Sequence, residues 1–251
     1  MDRKLIAGAA ALVFLSLVSC RKAPDFADEP AAPQVARGAV HGRVRATAPL
    51  PVNDTIRMNA DPMCAKANGE SSIVDEAVVA GEDGGLTDAF VELVGDFPDT
   101  PVPGEPVSID QRGCLYRPRV VGLRAGQALV VRNSDDGLHN VHGIAAGHDG
   151  FNVSQPVRGM TTTFHPGEPG ILQLKCDVHT WMIAFVGVAT HPYFAVTGAG
   201  GTFDLRDVPA GTWDLRVWHE RLGTITTTVH VDGNGTADVD AVYPAGAHAE
   251  P

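Results

Sequence analysis

Leu172-Gln173-Leu174-Lys175-Cys176-Asp177-Val178-His179-Thr180-Trp181-Met182 is the most telling stretch of this 251-residue chain. Its first half alternates. Leu172, Leu174 and Cys176 share one parity and Gln173 and Lys175 the other, the mark of a strand with one buried and one wet face. Its second half stops alternating and gathers a thiol, an imidazole and a thioether within seven residues, Cys176 to Met182. A strand therefore feeds directly into a loop rich in soft donor atoms.

The strand pattern recurs on the C-terminal side. Trp213, Leu215 and Val217 alternate with Asp214 and Arg216, and Ile225, Thr227, Val229 and Val231 share a parity. With 28 Gly and 18 Pro, turn signals are frequent between such runs. A short helix-like periodicity near Asp75–Ala80 does not extend far enough to count as a helix, and no long amphipathic helix is visible. The expected fold class is all-β, built from sandwiches.

Each donor in the loop is ordinary when taken alone. A single buried Cys is usually an inert thiol, and a single Met or His is usually core or surface. Taken together, a thiolate and imidazoles in a trigonal plane, with a weak thioether on the axis, suit copper. The plane lacks one imidazole. His139-Asn140-Val141-His142 supplies a candidate, placed after the apolar run Ala128–Val131 and a polar loop from Asn133. His142 lies three positions from His139, so on a continuing strand the two face opposite sides. It reads as an outward or supporting imidazole rather than a fifth ligand.

His139-Asn140-Val141-His142 followed by Cys176-x-x-His179-x-x-Met182 resembles the amicyanin and plastocyanin group of the cupredoxins, the blue-copper family. Tyr116–Pro118, Gly126 and Asn133 match the family's earlier strands, so the resemblance covers residues 101–190. It implies a Greek-key sandwich holding one type 1 copper through His139, Cys176, His179 and Met182. It gives Asn140 the role of hydrogen-bonding across to the Cys176 loop, holding the two ligand loops in register. It also implies that one edge of His179, flanked by Thr180 and Trp181, is exposed where redox partners dock. Trp181 is then a lid over the metal, part of the docking patch, or simple core packing. One departure is visible: Leu172–Lys175 precedes the thiolate where related sites often carry an aromatic.

A second resemblance lies further on. Gly201-Thr202-Phe203-Asp204-Leu205, with Val208-Pro209-Ala210-Gly211-Thr212-Trp213, resembles the carboxypeptidase-regulatory-like (transthyretin-like) β-sandwich, with Trp213 where that family usually has Tyr. Gly38–Arg45 and Gly85–Val94 suit its opening strands. The expected division is therefore a sandwich from residues 38–100 and 191–245, with the cupredoxin at 101–190 inserted into it. The alternative is one domain to residue 190 followed by a small C-terminal sandwich.

The N-terminus reads as an address. Arg3 and Lys4 precede an apolar run, Leu5–Val18, too short to span a bilayer comfortably. It ends in Leu17-Val18-Ser19-Cys20, which resembles the bacterial lipoprotein box. The expectation is a signal peptide at 1–19, lipidation at Cys20, and a flexible Pro- and Ala-rich tether at 20–37. Arg21 after the Cys points, by the habit of such lipoproteins, to the outer membrane. The protein is thus expected to be exported and lipid-anchored, at the periplasmic face of a membrane or the cell surface.

Export implies an oxidising compartment. The three remaining cysteines, Cys64, Cys114 and Cys176, are odd in number, so one lacks a disulfide partner. A Cys64–Cys114 disulfide leaves Cys176 for a metal, and in the chain-entropy picture adds about 4 kcal/mol. If the cupredoxin is inserted, this bond is expected to staple the two sandwiches together.

The formal net charge of −11 disfavours nucleic acid as a partner. The leading expectation is a membrane-tethered electron carrier serving redox proteins, and not an enzyme. His-x-His pairs, a nucleophile elbow, a P-loop and a dinucleotide fingerprint are all missing from the sequence. Two other readings stand beside it: a copper-handling lipoprotein without electron transfer, and a non-redox interaction module. His41, His148, His165, His191, His219, His230 and His248 show no ligand spacing and read as surface or core.

Overall fold

The computed structural model describes residues 35–69, 72–145 and 147–249. The expected signal peptide at 1–19, the expected lipidation residue Cys20 and the expected tether as far as residue 34 lie outside the described residues. The early elements are β1 (Arg37–Ala46), β2 (Thr55–Arg57), α1 (Pro62–Asn68), β3 (Ser72–Val74) and β4 (Phe90–Val94). The middle of the chain forms β5 (Val107–Gln111), β6 (Tyr116–Arg117), β7 (Val120–Arg124), β8 (Leu129–Asn133) and β9 (His139–Ala145). It continues through β10 (His148–Gln155), β11 (Thr161–Phe164), β12 (Gly170–Lys175) and β13 (Ile183–Ala189). The last elements are β14 (Phe194–Val196), β15 (Thr202–Pro209), β16 (Gly211–His219), β17 (Gly223–Val231) and β18 (Thr236–Tyr243). The described chain is thus nearly all β, and none of its helices is long and apolar enough to cross a membrane.

Two sandwiches follow from the strand order. The first stacks the sheet β15-β1-β18 on the sheet β14-β4-β16-β17 around Val40, Val44, Val91, Leu93, Leu205 and Leu215. The second stacks β10-β9-β12-β13-β7 on β11-β8-β5-β6 around Ile109, Leu129, Val131, Val141, Leu174 and Val186. The alternation read from the sequence sets the faces. Leu172 and Leu174 point inward while Gln173 and Lys175 are half-buried, and Leu215 and Val217 are buried while Asp214 and Arg216 are exposed.

Early and late strands build the first sandwich, and the strands β5 to β13 between them build the second. One part of the 38–100 segment departs from its expected place. Ile56, Met58 and Cys64, carried by the β2–α1–β3 excursion, are buried in the second core. The Cys64–Cys114 disulfide lies wholly within that second core. It ties the excursion to the second sandwich and does not staple the two sandwiches, because both cysteines sit on the same side of the junction.

α1 was not anticipated, and its ends explain it. Asp61 caps the N-terminus, accepting from the amides of Met63 (2.9 Å) and Cys64 (3.2 Å), Pro62 opens the first turn, and Gly69 closes the helix at φ 69°. No helix forms over Asp75–Ala80.

At the junction, Phe90 of the first sandwich packs with Val120 and Ala189 of the second. Gly122 and Gly187 are register partners there. A Cβ on Gly187 would stand 2.2 Å from Phe90, and one on Gly122 2.8 Å from Phe194, so both positions require glycine for ring access. Beside them Arg119, 9% exposed, pairs with Glu220 and with Asp75 at 2.7 Å. A buried guanidinium needs such partners to offset its desolvation.

Candidate metal centre

Three strand ends of the second sandwich converge on one buried cluster. Cys176 follows the last residue of β12, His139 opens the neighbouring antiparallel β9, and Met182 precedes β13. The Cys176–Met182 loop is closed on itself. The Cys176 amide donates to the Met182 carbonyl (3.1 Å), and the Met182 amide donates to the His179 carbonyl (2.8 Å). This turn carries His179 back over the thiol.

The donor atoms meet at short range. His139 Nδ1 and His179 Nδ1 are 3.1 Å apart, and Cys176 Sγ lies 4.0 Å from the first and 3.8 Å from the second. His139, Cys176, His179 and Met182 are all at most 2% exposed. The outer nitrogens are tied elsewhere: His139 Nε2 to Asp135 (3.0 Å), and His179 Nε2 to Asp61 (3.0 Å). A carboxylate only accepts, so each Nε2 carries a hydrogen. With both rings neutral, two Nδ1 lone pairs then face each other beside a sulfur. That arrangement calls for a cation at its centre, either a proton or a metal ion.

The electrostatics agree. Burial alone pushes the Cys176 thiol up, but hydrogen bonds with His139 and His179 and from backbone amides outweigh it and bring the thiol down to about 6. Burial disfavours a charged His139, yet Asp135 and Cys176 outweigh that and raise the ring to about 9. His179 is raised in the same way, against burial, by Cys176 and Asp61. The hydrogen bonds from both rings thus favour the thiolate form of Cys176 over the neutral thiol.

Comparison with known proteins adds similarity but no family. No family model and no curated protein matches the chain. Among solved structures, amicyanin from Paracoccus versutus aligns at 18% identity over 39% of this chain and 97% of its own, with a TM-score of 0.32. A purple cupredoxin from Nitrosopumilus maritimus aligns at 18% identity over 33% of this chain and 99% of its own, with a TM-score of 0.29. A copper-containing nitrite reductase from Thermus scotoductus aligns at 18% identity over 39% of this chain but 25% of its own, with a TM-score of 0.30. At these values the alignments carry no weight on function, and the side chains must decide it.

Around the cluster, Asn140 straps β9 to the Cys176–Met182 loop. Its Nδ2 donates to Asp177 Oδ2 (2.9 Å) and its Oδ1 accepts from the Asp177 amide (2.7 Å). His142 stands outside the donor cluster with Nδ1 3.0 Å from Asp177 Oδ1, and Asn152 donates to the same carboxylate at 2.7 Å. Trp181 is partly buried, its indole N–H donating to the Cys114 carbonyl (3.0 Å) and its ring 5.3 Å from His179.

One expectation is overturned. The edge of His179 is not open to solvent: the ring is 2% exposed and its Nε2 is held by Asp61 from the start of α1. The cause is the β2–α1–β3 excursion, which lays a capping carboxylate over the imidazole. Among the described residues, Leu138 and Val178, which precede His139 and His179, are exposed apolar side chains.

Asp61 and Asp135 are the residues that sequence reasoning missed. Asp135 also accepts from the amides of Gly113 (2.7 Å) and Cys114 (2.8 Å). Asp61-Pro62 with Gly69 was a readable helix-cap signal, but nothing local connected it to a histidine so far along the chain.

Proposed function

We propose that the second sandwich holds one copper ion in a blue-copper centre, with His139, Cys176 and His179 as strong ligands and Met182 as a weak one. The observation that carries this reading is the inward pair of Nδ1 atoms beside the buried Cys176 sulfur, each ring locked from behind by a carboxylate. Such locking fixes tautomer and orientation, as supporting partners do at metal sites. Copper bound there supplies one-electron redox chemistry, and the closed Cys176–Met182 loop keeps its ligands from rearranging. In this reading the protein is an exported, lipid-anchored carrier of single electrons between redox proteins, and not an enzyme. The tether raises the local concentration of partners at the membrane. The first sandwich, read as regulatory-like, serves as spacer or docking module.

The test is a visible absorption spectrum of the soluble form lacking residues 1–20, titrated with Cu(II). Residues from Val35 onward form one compact unit, so this form keeps every described element. An intense thiolate band that saturates at one copper per chain, and is missing in Cys176→Ala, supports the reading. A folded, reduced protein without the band sinks it. The enclosure of His179 favours a second reading, a copper-holding lipoprotein that does not exchange electrons. Reversible voltammetry at a defined potential separates the two.

A further inference from the structure

Cys64 and Cys114, both fully buried, are joined by a disulfide beside the proposed centre. Their sulfurs and a ring nitrogen of His179 all lie within 4.8 Å of one another. Met63 adds a thioether, its Sδ 3.8 Å from Cys114 Sγ. As a disulfide the two sulfurs are poor ligands, because it is the thiolate that binds metal. Reduced, they would form with Met63 a soft all-sulfur donor set of the kind that selects Cu(I).

Such a set is useful only if the two sulfurs stay together once their bond is cut. Contacts independent of that bond hold them. The Cys114 turn is clamped by Asp135 through the Gly113 and Cys114 amides, and by Trp181 through the Cys114 carbonyl. Asn68 joins α1 to the same turn, its Nδ2 placed to donate to the Gly113 carbonyl (2.8 Å) and the Cys64 carbonyl (2.9 Å). Asp61 anchors the start of α1 to His179. The reduced pair is therefore preorganised, which lowers the ordering cost of binding.

We propose that reduction of the Cys64–Cys114 disulfide opens a second metal site, for Cu(I), formed by the two thiolates with the thioether of Met63. A dithiol donor supplies the two electrons. The S–S bond breaks by thiol exchange, the donor leaves as its own disulfide, and its two protons pass to Cys64 and Cys114. Cu(I) then displaces those protons and is bound by the thiolates. The site adjoins His179, whose Nδ1 serves the blue-copper centre of the preceding reading and whose Nε2 is held by Asp61, and it uses neither that ring nor Cys176.

The experiment is an anaerobic Cu(I) titration of the soluble form against a chromogenic Cu(I) chelator. It is run with the disulfide intact and again after reduction by a water-soluble phosphine, which takes oxygen from water and is then removed. The expected result is one Cu(I) per chain before reduction and two after. A Cys64→Ser/Cys114→Ser double variant should hold one in both conditions, and Cys176→Ala should go from none to one. An unchanged count in the reduced parent overturns the proposal, as does a second equivalent that persists in the double variant. Loss of the native circular dichroism on reduction overturns it equally, since a preorganised pair is its premise. If the intact parent binds no copper, the blue-copper reading fails, while the gain on reduction still decides this one.

Discussion

The two sandwiches share an architecture and differ in what their interiors hold. The first core is almost wholly apolar, with Val40, Val44, Leu86, Val91 and Leu215 at 0% exposure and few buried polar side chains, His219 and Thr197 among them. The second has an equally dry floor in Leu123, Leu129, Val131 and Leu174, yet its loop end buries His139, His179, Asn133, Asp135 and Gln155. A buried polar group left without a partner costs about 1–3 kcal/mol, so such a concentration must be bonded to be tolerated. Asn133 donates to the Gly137 and Gln155 carbonyls, Gln155 to the Val131 carbonyl, and each histidine to a carboxylate. The contrast separates a core that only has to fill space from one whose polar groups are aimed at a point.

That contrast can be broken by substitution. The largest expected effect is at the aimed end: Cys176→Ala should abolish the visible copper band entirely, with urea titration still showing a cooperative fold. Next, Leu215→Ala in the first core should cost about 3 kcal/mol, as deep large-to-small changes do. Its copper spectrum should match the parent. A shifted band would mean that the two cores are not independent.

A buried titratable residue of the first sandwich, His219, gives a pH test. Burial, with help from Arg119 and Arg221, holds His219 down to about 4, below its ordinary 6.5. The unfolded chain takes up a proton that the folded chain refuses, so the stability this residue contributes is full above 6.5 and lost as pH falls toward 4. Urea unfolding at pH 7 and pH 4.5 should show the parent losing about 2 kcal/mol more on acidification than His219→Gln. An equal loss in both would move the acid sensitivity to the polar end of the second core. The smallest expected effect is at the cap: Asp61→Ala should speed oxidation of the reduced copper protein by a cationic cobalt complex about tenfold, equivalent to ~1.4 kcal/mol. Stopped-flow absorbance reads the rate. Because the oxidant is cationic, removing a negative charge disfavours its approach, so acceleration reports access to His179.

What could be read in the sequence follows from how far each signal reaches. Parity in Leu172–Cys176 and Trp213–Val217 is set by neighbours two residues apart, and the faces of β12 and β16 were legible. The gathering of His139, Cys176 and His179 in one buried cluster was legible because two of them fall within one loop and the third opens a marked segment. The closure of the site was not. It depends on Asp61, 118 positions from His179, in a seven-residue helix that reads locally as an ordinary capped turn. The same excursion defeated the expected boundary at residue 100, since Ile56, Met58 and Cys64 find cover only in the second core.

The parallel pairing of β1 with β18 has a mechanical consequence. Ala39 lies beside Thr236 and Ala46 beside Tyr243, so the entry of β1 and the exit of β18 are at opposite ends of one ribbon. A force drawn between Arg37 and Tyr243 runs along the strands and loads all of those rungs in shear at once, instead of peeling them one after another. The load passes between two adjacent strands of the first sandwich and bypasses the whole of β5 to β13. Tension between Arg37 and Tyr243 would be borne by one sandwich while the Cys176–Met182 loop of the other stays slack.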